Sequence, residues 1–169
     1  MRYGRRFRLI VAALLGWALP VRASEPLPQP TGPVLLTISG SIGQTNAPGQ
    51  ARFDREMLHA LGSASLTTGF VVLDRPQFFE GVPLRTVLER VEAKGTKMTA
   101  VALNDYEIVI PFEDLKFEPL IAMKADGQPL KIRGKEPLWI VYPRDDYKVL
   151  QDIRYDSRWV WQLNRLHIE

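Results

Sequence analysis

The sequence predicts an α+β domain, and three observations carry that expectation. Short β-branched runs are broken by turn residues, two stretches have helical periodicity, and regular βαβ alternation is missing, which argues against a parallel doubly wound sheet. The pattern holds about six to eight short strands and two helices of two to three turns, with no internal repeat, heptad run or low-complexity block. A length of 169 residues with 46% hydrophobic and 24% charged residues suits about one globular domain. The chain has no cysteine, which excludes a disulfide scaffold, a thiolate metal site and a cysteine nucleophile.

The first 23 residues read as a secretory signal peptide. Arg2, Arg5, Arg6 and Arg8 precede an apolar stretch over 9–19, and Val21-Arg22-Ala23 offers a small-residue cleavage site before Ser24. Eleven apolar residues make only about 16 Å of helix, against roughly 30 Å of hydrocarbon core, so a membrane anchor is the poorer reading. The net charge of +3 then has a simple origin, because cleavage removes five arginines and no acid and leaves 17 basic against 19 acidic residues. Basic charge therefore points to export rather than to nucleic acid. The expected location is the periplasm, with a mature domain held by packing alone.

Residues 24–32 carry Pro26, Pro28 and Pro30 and read as an extended tether, so the domain proper is expected over 33–169. Val34-Leu35-Leu36-Thr37-Ile38 is a first strand, followed by a polar loop over 43–49. Asp54 caps a short helix with Met57, Leu58 and Leu61 on one stripe and Gly62 past its end. His59 falls off that stripe as a surface residue, and His167 is too isolated to support a zinc site. Residues 66–73 are strand-like. Pro83 then opens a second helix with Leu84, Val87, Leu88 and Val91 at helical spacing. Residues 99–103 and 106–110 form a hairpin around Asn104-Asp105, and Asp126-Gly127 marks another. Residues 112–115 read as a short connection, residues 118–123 as a strand or helical turn, 138–142 as a buried-type strand and 158–168 as the last strand.

Nucleophilic and phosphate-binding motifs are missing: there is no G-x-S-x-G, no glycine-rich phosphate loop and no H-E-x-x-H, which argues against a hydrolase. What stands out is a concentration of aromatic and charged residues in the second half, including Tyr106, Trp139, Tyr142, Tyr147, Tyr155, Trp159 and Trp161 with Arg133, Lys135, Arg144, Arg154 and Arg158. One reading makes the tryptophans core and the charges a solvated rim. The other makes the set a site for a flat, polar heteroaromatic ligand, with rings to stack on and cations for an anionic tail. Alternation along the last strand assigns Trp161 to the core.

Four segments in order then resemble the molybdopterin-binding domain of the sulfite oxidase fold. They are Phe79-Glu80-Gly81-Val82-Pro83-Leu84 before a helix; Ala102-Leu103-Asn104-Asp105-Tyr106 running into Ile110-Pro111 and Asp114; Lys135-Glu136-Pro137-Leu138-Trp139-Ile140-Val141-Tyr142-Pro143; and Arg158-Trp159-Val160-Trp161-Gln162-Leu163. The resemblance spans about residues 34–168 and implies a mixed, curved β-sheet with a few short helices. Catalytic members of that family bind molybdenum through one cysteine thiolate ahead of the first segment. The corresponding stretch here is Leu66-Thr67-Thr68-Gly69-Phe70, and a threonine hydroxyl is a hard, poorly acidic donor that does not replace a soft thiolate.

The chain is most similar to an exported, cysteine-less branch of that fold. This resemblance implies a non-catalytic periplasmic pterin-binding protein with no metal, reporting pterin to a membrane-bound cyclic di-GMP signalling enzyme. The alternatives are a molybdenum-cofactor oxidoreductase that holds its metal without cysteine, and a module that only binds protein. A pterin presents a guanine-like edge that one carboxylate can read, so Asp105, or else Asp114 if it does not simply cap a turn, is the expected edge reader. Asn104 adds a donor and an acceptor, or else forms the turn. Tyr106, Tyr142 or Trp139 is expected to stack on the ring. Thr67 and Thr68 are candidates to bond the ligand where a metal would sit, and Arg133, Lys135 and Arg158 are candidates for a phosphate or polyhydroxylated tail.

Overall fold

A computed structural model describes residues 25–131 and 137–169. The expected signal peptide therefore lies outside the described residues, and so do Arg133 and Lys135. The strands are β1 (Leu36–Gly40), β2 (Gln50–Phe53), β3 (Ala64–Thr68), β4 (Gln77–Pro83), β5 (Lys97–Ala102), β6 (Glu107–Pro111), β7 (Leu120–Ala125), β8 (Gln128–Pro129), β9 (Leu138–Val141) and β10 (Val160–Ile168). The helices are α1 (Arg55–Ala60), α2 (Leu84–Arg90) and α3 (Ile153–Asp156), with 3₁₀ turns over Phe112–Phe117 and Lys148–Gln151. This is an α+β domain built on one mixed, curved, half-barrel sheet.

The sheet runs β2-β1-β10-β9-β7-β4-β3, with β5 and β6 branching from β10 and β8 from β7. Among the described residues only the β1–β10 pair is parallel, and the other pairings are antiparallel. β10 is the branch point. Leu163 pairs both Leu138 of β9 and Ala102 of β5, whereas Arg165 pairs Thr37 of β1 and Val101 of β5, so β9 and β1 share one edge of β10 in succession. Irregularities flank Leu163 on both ladders, and Gln162 has a left-handed backbone with φ 63°. A bulge there bends the strand and breaks its alternation.

Local sequence explains most of these elements. Asp54 accepts the Met57 N–H at 2.9 Å and opens α1. Asp126 and Gly127 take φ values of 50° and 75°, both positive as a tight hairpin turn between β7 and β8 requires. Asp105 at φ 61° does the same work at the β5–β6 tip. A β-carbon at Gly81 would overlap the Ile121 carbonyl of β7, so the close approach of β4 and β7 requires glycine at that point. Leu36, Ile38, Phe53, Phe79, Val82, Leu84, Ile110, Ile121 and Ile140 are fully buried and form the centre of one core.

Several expectations change. β2, β4 and β8 are additional strands, four, seven and two residues long. Too few residues alternate in β2 and β8 to give a periodic signal. β3 stops at Thr68 rather than running to 73, because the Gly69 N–H turns to the Asp145 carboxylate at 2.6 Å. Residues 112–117 form a 3₁₀ turn rather than a bare connection. β10 begins at Val160 because α3 and the Arg158 ion pair occupy the preceding residues. The proline-rich segment over 25–32 is docked: Leu27 is buried, Arg90 donates to the Glu25 and Pro26 carbonyls, and the Thr31 and Gly32 N–H groups donate to Asp54.

Candidate functional site

An open groove of about 580 Å³ lies where the start of β10 meets the β5–β6 tip and the loop after β3. Its apolar wall is Phe70, Val72, Tyr106, Trp159 and Trp161. Asn104, Asp156, Ser157 and Gln162 provide its polar groups. The rings are ordered against one another. Phe70 stacks on Trp159 with centroids 4.3 Å apart and planes 19° apart, and Trp161 stacks on Trp139 at 4.8 Å and 4°. Phe79 fills in behind, edge-on to Trp159 at 6.2 Å. Offset and edge-on ring pairs of this kind are favourable beyond the area they bury. The indole N–H groups of Trp139 and Trp159 are both buried with no acceptor, an uncommon state for a buried donor.

Hydrogen bonds tie the groove's pieces together. The Tyr106 hydroxyl donates to the Ser157 carbonyl at 2.7 Å and straps the hairpin tip to the α3–β10 turn. Asp156 accepts from Arg144 Nε at 3.1 Å, so the carboxylate facing the groove is already neutralised from behind.

Beneath the α3–β10 turn lies a second polar cluster. Arg158 Nη1 donates to both oxygens of buried Asp114, at 2.8 and 2.6 Å, and its guanidinium lies 4.6 Å from the Tyr155 ring centroid. Tyr142, fully buried, donates its hydroxyl to Asp114 at 2.9 Å. Burial first, and then the Asp114 charge, pushes the Tyr142 phenol well above its ordinary value, so Tyr142 is a neutral donor. A third contact closes the end of β3. Thr68, fully buried, accepts the Asp145 N–H at 3.3 Å and donates to the Gly69 carbonyl at 3.4 Å.

The predicted residues are thus dispersed over several surroundings. Asn104 and Tyr106 reach the groove. Asp105, next to them, points away and sits 3.7 Å from Arg165 with a side chain that is 90% exposed. Tyr142 has no ring face open to a ligand, because β9 carries it into the core. Trp139 lies behind Trp161 rather than on the groove. Thr67 is exposed on β3 while Thr68, its neighbour in the alternation, points inward. Arg158 is committed to Asp114, which is a buried ion-pair partner rather than a turn cap. Trp161 is half-buried and lines the groove instead of joining the core, since the left-handed backbone at Gln162 upsets the alternation that assigned it inward. Phe70, Ser157, Asp156 and Gln162 were not foreseen. The one signal toward this wall is the concentration of aromatic residues in the second half of the sequence, to which Trp159 and Trp161 belong.

The curved mixed sheet with its few short helices is a sulfite-oxidase-like fold. The chain is similar to the crystal structure of the sulfane dehydrogenase SoxCD from Paracoccus pantotrophus, with a TM-score of 0.60 and 20% sequence identity over 79% of this chain and 37% of that one. The chain thus spans little more than a third of that protein's length, and the likeness concerns the fold. No family model matches the chain, and no curated protein matches it in sequence.

The residues present do not fit a molybdenum ion. The chain offers no thiolate, and the hard Thr68 hydroxyl is buried and engaged in two hydrogen bonds. They do fit a flat ring, for which the groove offers aromatic faces and neutral amide groups.

Proposed function

We propose that this chain is an exported, non-catalytic pterin-binding protein whose ligand lies in the groove between Tyr106 and the Trp159–Trp161 wall. The observation that carries the reading is the groove itself: aromatic rings around a cavity of about 580 Å³, with Asn104, Gln162 and Ser157 as donors and acceptors. A pterin is flat, polarisable and rimmed by ring nitrogens, an amino group and a carbonyl, so stacking and amide hydrogen bonds suit it together. Asn104 and Gln162 take over the edge-reading role expected of Asp105, which faces Arg165. The resemblance to cysteine-less exported proteins supports the periplasmic location and a relay of pterin to a membrane cyclic di-GMP signalling enzyme.

The test is to export the full chain from a host that synthesises molybdenum cofactor, purify it, and measure metal by mass spectrometry and released ligand by fluorescence. Pterin fluorescence without molybdenum is the expected result. Stoichiometric molybdenum overturns the proposal in favour of an oxidoreductase that holds its metal without cysteine. Neither signal overturns it in favour of a module that binds only protein.

A further inference from the structure

The loop between β3 and β4 is pinned at both ends and free between. At its start the Gly69 N–H donates to Asp145 at 2.6 Å. At its end Arg75 pairs with Asp126 at 2.7 Å, and the Phe78 N–H donates to the same carboxylate at 3.0 Å. Between these anchors Val71 and Val72 are 59% and 62% exposed, and a single bond from the Leu73 N–H to the Phe70 carbonyl, 2.9 Å, closes the turn. Phe70 is the residue of this loop whose ring reaches the tryptophans. It lies nearly parallel to Trp159 at 4.3 Å and 6.1 Å from Trp161.

That stacking place is where a flat ligand on this wall would lie. Trp159 is only 4% exposed and the Phe70 ring covers its face, so a ligand stacks on Trp159 only by taking the place of Phe70. A flat heteroaromatic ring offers the indole a larger π-face than a phenyl ring does.

We propose that Phe70 is a resident plug, held against Trp159 until a flat heteroaromatic ligand displaces it, and that its departure moves the exposed Val71–Val72 segment. The inference rests on the pterin-binding reading of the groove. It makes Phe70 a residue that sets affinity by competing with the ligand, and it makes the loop after β3 the part of the surface that changes on binding. The fixed carboxylate anchors at Gly69 and Arg75 confine the movement to residues 70–74.

The experiment titrates the full chain and its Phe70→Ala variant with pterin, following quenching of tryptophan fluorescence, and compares amide hydrogen exchange with and without saturating pterin. Losing one competing ring contact is expected to tighten pterin binding about three- to tenfold in Phe70→Ala. In the unsubstituted chain, pterin is expected to speed exchange at the amides of 71–73. Equal or weaker binding by Phe70→Ala, or protection of 71–73, overturns the plug and makes Phe70 a fixed wall, with the pterin reading intact. Binding by neither protein overturns both.

Discussion

Tyr142 and Asp114, 28 positions apart, meet across 2.9 Å in a place where both are buried, and Arg158 completes the cluster from the α3–β10 turn. Three elements converge on one carboxylate: the 3₁₀ turn at 112–117, the end of β9, and the approach to β10. The next residue along is Trp159. The cluster therefore sets the height and angle of the groove's aromatic wall without touching a ligand there.

Removing the carboxylate alone strands the guanidinium in a largely buried position. Asp114→Ala is expected to destabilise the domain by about 3–5 kcal/mol, because breaking a buried pair leaves an uncompensated charge. Tyr142→Phe, which leaves the ion pair intact, is expected to cost about 2 kcal/mol, the usual range for a lost hydrogen bond to a charged group. Urea unfolding followed by tryptophan fluorescence measures both, and a loss below about 1 kcal/mol for Asp114→Ala would show that the cluster is dispensable.

Asp54 joins α1 to the segment ahead of β1. Its carboxylate accepts the N–H groups of Met57, Gly32 and Thr31 at 2.9, 2.8 and 2.7 Å. The Met57 N–H is the largest cause holding its pKa below the ordinary 3.8, with burial opposing and Gly32 and Thr31 adding to the effect. A folded-state pKa below the unfolded one means that the stabilisation is present above about pH 4 and is lost as the pH falls through the lower folded-state value. Asp54→Asn puts an amide donor in place of one of the two oxygens that accept these N–H groups and is expected to lower stability by about 1–2 kcal/mol at neutral pH. Urea midpoints between about pH 5 and pH 2 are the check: the unsubstituted chain should converge on the variant as acid is added, and parallel curves would remove Asp54 as the source.

How far the sequence foretold this molecule follows from which signals are local. The Asp54 cap, the second helix after Pro83, the Asp126-Gly127 turn and the Asn104-Asp105 tip were all readable, because each depends on a few adjacent residues and their backbone preferences. The groove was readable only in part. Tyr106 and Asn104, both expected at the ligand, line the groove, whereas Asp105, the expected edge reader, is carried toward Arg165 by its left-handed backbone at the tip. Trp161 was assigned to the core on alternation that the turn of backbone at Gln162 cancels. Tyr142 and Arg158 looked like ligand groups because nothing within ten residues shows that they share Asp114. Long-range polar partners leave no periodic trace, and neither does Phe70, which acquires its role by stacking on Trp159, far away in sequence.

The geometry of the β5–β6 tip separates two neighbouring side chains that the sequence treats alike. Asp105→Ala removes a carboxylate that is 90% exposed and 3.7 Å from Arg165, so pterin affinity is expected to stay within about twofold, since exposed pairs contribute little. Gln162→Ala removes an amide that faces the groove from the bulge of β10, and is expected to weaken binding about three- to tenfold, the worth of one hydrogen bond. Trp161→Ala removes one ring of the stacked pair with Trp139 and opens the wall, with an expected loss of about tenfold or more by analogy with bases stacked on aromatic side chains. Fluorescence titration with pterin ranks the three. The order Trp161, Gln162, Asp105 in decreasing effect follows if the ligand lies in this groove. A large loss on Asp105→Ala with none on Gln162→Ala would move the ligand to the far side of the hairpin, where Arg165 and not the tryptophan wall would be its neighbour.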